Sequence, residues 1–183
     1  MGKQFDSLSD DHRNFIAEQK IFFVGSAAES GKVNISPKGG DSLRILGDNR
    51  IIWRNLTGSG NETAGHLARV NRMTLMWCGF ETRPMILRCY GTAKVFHARD
   101  PEFDDLNGVF DEHVGARQIY DMTVDMVQTS CGYAVPFYDY REDRKVLDKW
   151  AEGKGRDGVG DYWRDRNQET LDGFPTHVIA DDA

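Results

Sequence analysis

The stretch from Trp53 to Val70, WRNLTGSGNETAGHLARV, carries the residues best spaced for binding chemistry. Gly58, Ser59, Gly60 and Asn61 fall where a strand hands over to a helix. The start of a helix exposes unpaired N–H groups and a partial positive charge, which suit an anion. Glycines let the backbone approach such a group closely. Asn61 and Thr63 add side-chain donors, and Arg54 adds a cation. A second reading fits the same residues: Ser59 as N-cap with Glu62 three positions on makes a capping box. Gly58-x-Gly60 is half a dinucleotide fingerprint without its third glycine, and it lacks the Lys-Ser/Thr of a P-loop. The residues alone leave cradle and cap both open.

Two other features bear on that choice. Between Lys32 and Arg54 lie five basic residues (Lys32, Lys38, Arg44, Arg50, Arg54) against two acidic ones (Asp41, Asp48). Such a bias suits either a solvated basic edge or a pocket for one phosphorylated small molecule, which needs two or three of these cations. In MILRCYGTA the period-2 pattern puts Met85, Leu87 and Cys89 on a core face and Ile86, Arg88 and Tyr90 on the outer face. Arg88 there meets an anion, a subunit interface or a surface carboxylate.

The remaining candidates carry less. The five histidines show no ligand spacing. Ser26, Ser36 and Ser130 have no G-x-S-x-G elbow, so a hydrolase triad is not expected. The acidic pairs Asp104-Asp105 and Asp181-Asp182 read as solvated. Cys78, Cys89 and Cys131 are odd in number, widely spaced and outside any CxxC. They read as buried thiols of a reducing compartment, Cys131 included, not as a disulfide frame or a zinc site. No metal site and no catalytic acid or base is assigned. Asn55-Leu56-Thr57 and Asn61-Glu62-Thr63 match the N-glycosylation pattern, but a cytoplasmic chain is not glycosylated there.

The elements that must position these residues follow from the whole chain. Its 183 residues suffice for one domain with a real core, and 39% hydrophobic with 28% charged residues reads as soluble and globular. A net charge of −6 argues against general nucleic-acid binding. The polar, acidic N-terminus does not read as a signal peptide, and no apolar run is long enough to span a bilayer, so a cytoplasmic location is expected.

Ser9 followed by DDHRNFIAEQ predicts a capped helix. IFFVGSAA and KVNISP predict a hairpin, with residues 38–42 as a loop. SLRIL and RIIWRNL are short strands around a turn at Gly47-Asp48-Asn49. A short helix follows the glycine loop, and RMTLMWCGF and MILRCYGTAKVFH are long strands. Residues 101–109 and 116–122 are expected to be helical, and residues 124–136 to return to strand. A charged helix over residues 141–154 turns Val146, Leu147 and Trp150 inward. About six strands with tight turns and peripheral helices predict a mainly β protein built as a small closed antiparallel barrel.

These parts, in order, resemble a known family. VNISPKG, IIWRNLTGSGNETAGHL, NRMTLMWCGF, MILRCYGTAKVF and SCGYAVP are similar to the FMN-binding split-barrel proteins related to pyridoxamine 5′-phosphate oxidase, in the branch with a TGSGNET loop. The likeness covers roughly residues 16–131. It implies a single six-stranded antiparallel split-barrel domain over residues 1–183, with a helical C-terminal extension from about 137. It also implies a homodimer with FMN at the interface. By resemblance, Ser36 and Lys38 run beside the isoalloxazine. Trp53 and Arg54 match the pair that precedes the phosphate loop, and Gly58, Ser59, Gly60 and Asn61 match the loop itself; Asn55, Thr63 and Arg88 complete the expected cofactor-binding set, Arg88 as a compensating cation. The true oxidase has an Arg-Lys pair where this chain has Gly60-Asn61, and its C-terminal arginine-containing substrate segment has no match in DYWRDRNQETLDGFPTHV. The expected function is therefore that of an FMN-dependent oxidoreductase with pyridoxamine phosphate not implied as substrate. The alternatives are a non-catalytic flavin-binding stress or sensor module, or a split barrel holding deazaflavin or haem.

Overall fold

The chain opens with a three-residue strand, β1 (Lys3–Phe5), and a helix, α1 (Asp10–Glu18), in a computed structural model that describes residues 2–81 and 83–180. Ser9 caps α1: its hydroxyl accepts the His12 N–H, and the His12 ring accepts the Ser9 N–H in return. Asp10 and Asp11 in the first turn complement the helix dipole. Then come β2 (Ile21–Ser26), β3 (Asn34–Gly39), β4 (Leu43–Gly47), β5 (Arg50–Leu56), α2 (Glu62–Arg69), β6 (Met73–Cys78) and β7 (Met85–His97). A short helix α3 (Phe103–Asn107), the long strand β8 (Ala116–Cys131) and α4 (Val146–Arg166) complete the order.

All strand pairs are antiparallel, in the order β3-β2-β6-β7-β8-β5-β4, with β1 added on β8. The sheet curls into a half-barrel, the split-barrel architecture expected, with seven strands along the path rather than six. The order is linear: β3 and β4 are its ends. β7 and β8 form the spine. β8 pairs β5 along its first half and β1 along its second. Their mutual register slips at Tyr90/Gly91, where a Cβ on Gly91 would lie 1.9 Å from the Thr123 carbonyl oxygen, so glycine is required at this bulge.

Residues 116–122, expected to be helical, form the first half of β8. This segment lies between β5 and β7 and is covered on both faces: Gln118, Ile119, Tyr120 and Met122 are all 0% exposed. A central strand buried on both faces loses the alternation by which strands are read from sequence. Lys38 and Gly39, expected in a loop, belong to β3, which places Lys38 on a rigid strand.

The core fills the inside of the curl. Trp53 and Tyr120 stack there at 4.2 Å and 4° between rings, both wholly buried, beside Leu75, Leu87, Ile51 and Met122. A smaller cluster of Ile52, Phe103, Phe110, Ala116 and Ile119 packs on the other side of β5 and β8. Cys78 and Cys89 are buried, but Cys131 is exposed at the end of β8, contrary to expectation. Val146 is 73% exposed rather than inward, because it starts α4 at the surface.

The expected C-terminal extension is helical only over α4, which breaks at Gly155 (φ 67°). From Asn167 the chain runs back with almost no regular structure. Asp181-Asp182 lie outside the described residues. Among the described residues no helix is long and apolar enough to cross a membrane.

Candidate functional site

β3 is an edge strand whose two faces differ in chemistry. Asn34, Ser36 and Lys38 point one way; Val33 and Ile35 are 71% and 68% exposed on the other. The polar face, Asn55 of β5 and residues 58–63 line a cleft of about 310 Å³. Eight of the eleven expected residues meet there: Ser36, Lys38, Asn55, Gly58, Ser59, Gly60, Asn61 and Thr63. Asn34 and Glu62 line it as well.

Three expected residues lie elsewhere. Trp53 is wholly buried against Tyr120, beneath the Lys38 ammonium, which sits 5.3 Å from its ring centroid. Arg54, one residue on, points to the opposite face of β5. Its Nη1 donates to the Asp111 carbonyl (2.5 Å), and its guanidinium lies 4.8 Å from the Phe110 ring centroid. Arg88 is on the outer sheet face, as its alternation implied, with Nη1 3.4 Å from Ser130 Oγ. The basic bias between residues 32 and 54 also resolves. Lys32 pairs with Asp172 (2.6 Å), Arg44 with Asp41 and Arg50 with Asp121 (2.8 Å), all at the surface. Of those five cations, Lys38 is the one that lines the cleft.

Lys38 donates from Nζ to Asn55 Oδ1 (3.0 Å), and Asn55 Nδ2 donates to Gln118 Oε1 (3.1 Å) inside the barrel. Among the described residues no carboxylate is a partner of Lys38. Desolvation, with a smaller push from the Arg117 guanidinium, lowers its pKa to about 8. An ammonium has three donors and one is used here. On the same wall, Asn34 Nδ2 reaches Ser36 Oγ (3.0 Å) and Thr63 Oγ1 (3.5 Å).

The loop itself does not form the capping box. The N-cap of α2 is Asn61, with no side-chain cap bond, and the helix begins at Glu62. The Glu62 carboxylate turns instead to the Leu171 N–H (3.1 and 3.3 Å). A carboxylate beside an anion site is unfavourable, and this bond ties it to the C-terminal segment. Asn61 is 2% exposed, and its Oδ1 is buried with no partner. A Cβ at Gly58 would meet nothing within 4 Å, so the loop is open on that side. Asn55 is 3% exposed, so neither sequon asparagine is presented for glycosylation in the folded chain.

Residues missed from sequence hold the loop from behind. Arg117 of β8 is 2% exposed, and burial lowers its pKa to about 10. Asn167, just past α4, is 0% exposed, and Trp163 Nε1 donates to Thr57 Oγ1 (2.8 Å). Reading residues 116–122 as a helix hid Arg117. Asn167 carries no local signal for this role, because the loop carbonyls its side chain meets lie about a hundred residues away in the chain.

Comparison with known proteins agrees with this architecture. The sequence profile of the pyridoxamine 5′-phosphate oxidase family matches residues 8–131. The pyridoxamine 5′-phosphate oxidase family protein ustO of Aspergillus flavus is 35% identical over 190 residues, spanning 93% of this chain and 76% of that protein. Among solved structures, one from Lactobacillus delbrueckii, described as a candidate pyridoxamine 5′-phosphate oxidase, superposes with a TM-score of 0.55 at 15% identity, covering 67% of this chain and 94% of its own. A HupZ variant from Group A Streptococcus superposes with a TM-score of 0.53 at 16% identity, covering 67% and 98%. These two likenesses show the fold.

Proposed function

The chain belongs to the pyridoxamine 5′-phosphate oxidase family, and on that premise we propose that it binds FMN in the Lys38 cleft and works as a flavin-dependent redox protein. The observation that carries the reading is a crowded ammonium, Lys38, with no carboxylate partner among the described residues, walling the same cleft as a glycine loop at a helix start. A half-buried cation without a counter-ion is partly desolvated, and an anionic ligand offsets that cost. The open space at Gly58 leaves room for a ligand on the same loop.

The residues divide by what they do. Gly58, Ser59, Gly60, Asn61 and Thr63 hold the phosphate end through N–H and hydroxyl donors. Lys38 supplies the positive charge, and Asn55 orients it. Asn34 and Ser36 offer polar contacts along the rest of the wall. Arg54 and Arg88 are not part of this set. When bound, the isoalloxazine supplies hydride or electron transfer. The histidines do not line the cleft, which leaves a haem reading without an axial ligand there.

At about 310 Å³ the cleft is at the small end of the ~300–1,000 Å³ typical of small-molecule sites, so a ligand as long as FMN needs further cover. A second copy supplies it in our reading. The outer face of β3 and its neighbours is apolar, with Phe23, Val33, Ile35 and Met76 around a groove of about 530 Å³. An edge strand with two exposed aliphatic residues is a surface that proteins normally cover.

Titration of the purified protein with FMN, followed by visible absorption and flavin fluorescence, tests the proposal. Saturable binding with a shifted two-banded spectrum supports it; no spectral change sinks it. Light scattering should give the mass of two 20.7 kDa chains. A monomer with FMN bound would remove the dimer from the reading.

A further inference from the structure

The bonds behind the loop share one direction. Arg117 donates from Nη2 to the Gly60 carbonyl (3.0 Å) and from Nη1 to the Gly58 carbonyl (3.4 Å) and to Asn167 Oδ1 (2.5 Å). Asn167 Nδ2 donates to the Gly58 carbonyl (3.1 Å) and reaches that of Ser59 (3.5 Å). Three successive carbonyls therefore turn toward one buried pair.

Among the described residues every peptide bond is trans. Across a trans peptide, the carbonyl of one residue and the N–H of the next point in opposite directions. The N–H groups of Ser59, Gly60 and Asn61 consequently point away from Arg117 and Asn167, toward the side on which the same residues wall the cleft. The structure gives these three N–H groups no acceptor among the described residues.

We propose that Arg117 and Asn167 are positioning residues that hold the carbonyls of Gly58, Ser59 and Gly60 backward, so that three consecutive N–H groups stand as a preformed cradle for the terminal phosphate of a bound ligand. The inference rests on the anion-site reading above. Neither residue lines the cleft, and the acceptors of both lie in the protein. A Gly-Ser-Gly segment left to itself samples many conformations, and ordering it on binding would weaken the complex. The pair performs that ordering in advance.

The device reaches beyond residues 8–131, the segment that matches the family profile. Asn167 is itself held by the Thr176 hydroxyl on its carbonyl (2.5 Å) and by its own N–H on Trp163 (3.0 Å). The C-terminal segment thus completes the loop.

The test compares FMN with riboflavin, which lacks the phosphate, in the full chain and in Asn167→Asp and Arg117→Met. Amide NMR spectra with inorganic phosphate give a readout independent of flavin. In the unaltered protein FMN should bind at least about tenfold more tightly than riboflavin, and phosphate should shift the Ser59, Gly60 and Asn61 amides. Asn167→Asp keeps the shape but turns an oxygen toward the Gly58 carbonyl. It should cut the FMN-to-riboflavin ratio about tenfold and leave riboflavin affinity alone; Arg117→Met should do the same with a lower Tm.

A ratio unchanged in both variants, or an equal loss for both ligands, overturns the positioning role while leaving flavin binding intact. If the unaltered protein binds no flavin, yet phosphate shifts the three amides and Asn167→Asp abolishes the shifts, the flavin reading falls and the cradle stands. No phosphate shift in the unaltered protein overturns the cradle.

Discussion

Lys38 and Arg117 stand on opposite sides of the Gly58–Asn61 loop, and both are crowded cations with no carboxylate partner among the described residues. Their hydrogen bonding differs. Arg117 has an oxygen for both terminal nitrogens, from Gly58, Gly60 and Asn167, which takes up three of its five N–H donors. Lys38 has one acceptor, Asn55 Oδ1, and faces a cleft. A buried charge whose donors are satisfied by fixed dipoles holds structure together; one left under-satisfied at a cleft is a destabilising group that a ligand can complete. The back of the loop is architecture and the front is a site.

If that contrast is right, the two cations respond oppositely to removal. Arg117→Met strands the Gly60 carbonyl and Asn167 Oδ1 and leaves the Gly58 carbonyl to Asn167 alone, and should destabilise the protein by about 3 kcal/mol in urea unfolding. A loss below about 1 kcal/mol would mean that the back of the loop is not held by this residue.

Lys38→Met should weaken FMN binding by about 2 kcal/mol, some thirtyfold, as one charge-assisted contact is lost. The ligand-free variant should unfold at a higher urea concentration than the parent, by about 1 kcal/mol, since a desolvated charge is gone and only Asn55 Oδ1 is left unpaired. A destabilised Lys38→Met would erase the distinction between the two sides.

The pH dependence sharpens it further. With a folded pKa near 8 against 10.5 for the free side chain, the unfolded state holds the Lys38 proton more tightly. Stability contributed by this group therefore rises with pH from 8 to 10.5, and its cost is full below 8. Between pH 8 and 9 the ligand-free protein should gain about 1 kcal/mol relative to Lys38→Met. Parallel stability curves for the two proteins would place the ammonium in solvent.

The smallest effect concerns Arg54, the cation that sequence places nearest the loop. Because it faces Phe110 and the Asp111 carbonyl, Arg54→Ala should lower stability by about 1–2 kcal/mol yet change FMN affinity by less than about 0.5 kcal/mol. A tenfold loss of affinity in isothermal titration would bring Arg54 back into the site.

Much of the front was legible. Alternation of Asn34 and Ser36 against Val33 and Ile35 reports a strand with one polar face, which the folded chain extends to Lys38. The run of small residues before Glu62 reports a backbone free to approach a ligand. The capping-box reading of Ser59 and Glu62 was equally legible and did not form, because Leu171 competes for the same carboxylate. Trp53 and Arg54 illustrate a different limit. Adjacent residues on a strand face opposite ways, so at most one of the pair could face the cleft, and the stack on Tyr120 withdrew even that one.

The local order of residues thus determined the hairpins, the capped first helix, the long β7 and the polar edge that becomes the cleft wall, because each rests on period-2 or capping patterns within a dozen residues. Three features came only with the folded chain: the strand character of residues 116–122, the withdrawal of Trp53 and Arg54 from the site, and the union of Arg117 with Asn167 behind the loop. Each depends on contacts between segments distant in sequence. A central strand buried on both faces shows no period, and a hydrogen bond between residues 58 and 167 is written in neither neighbourhood.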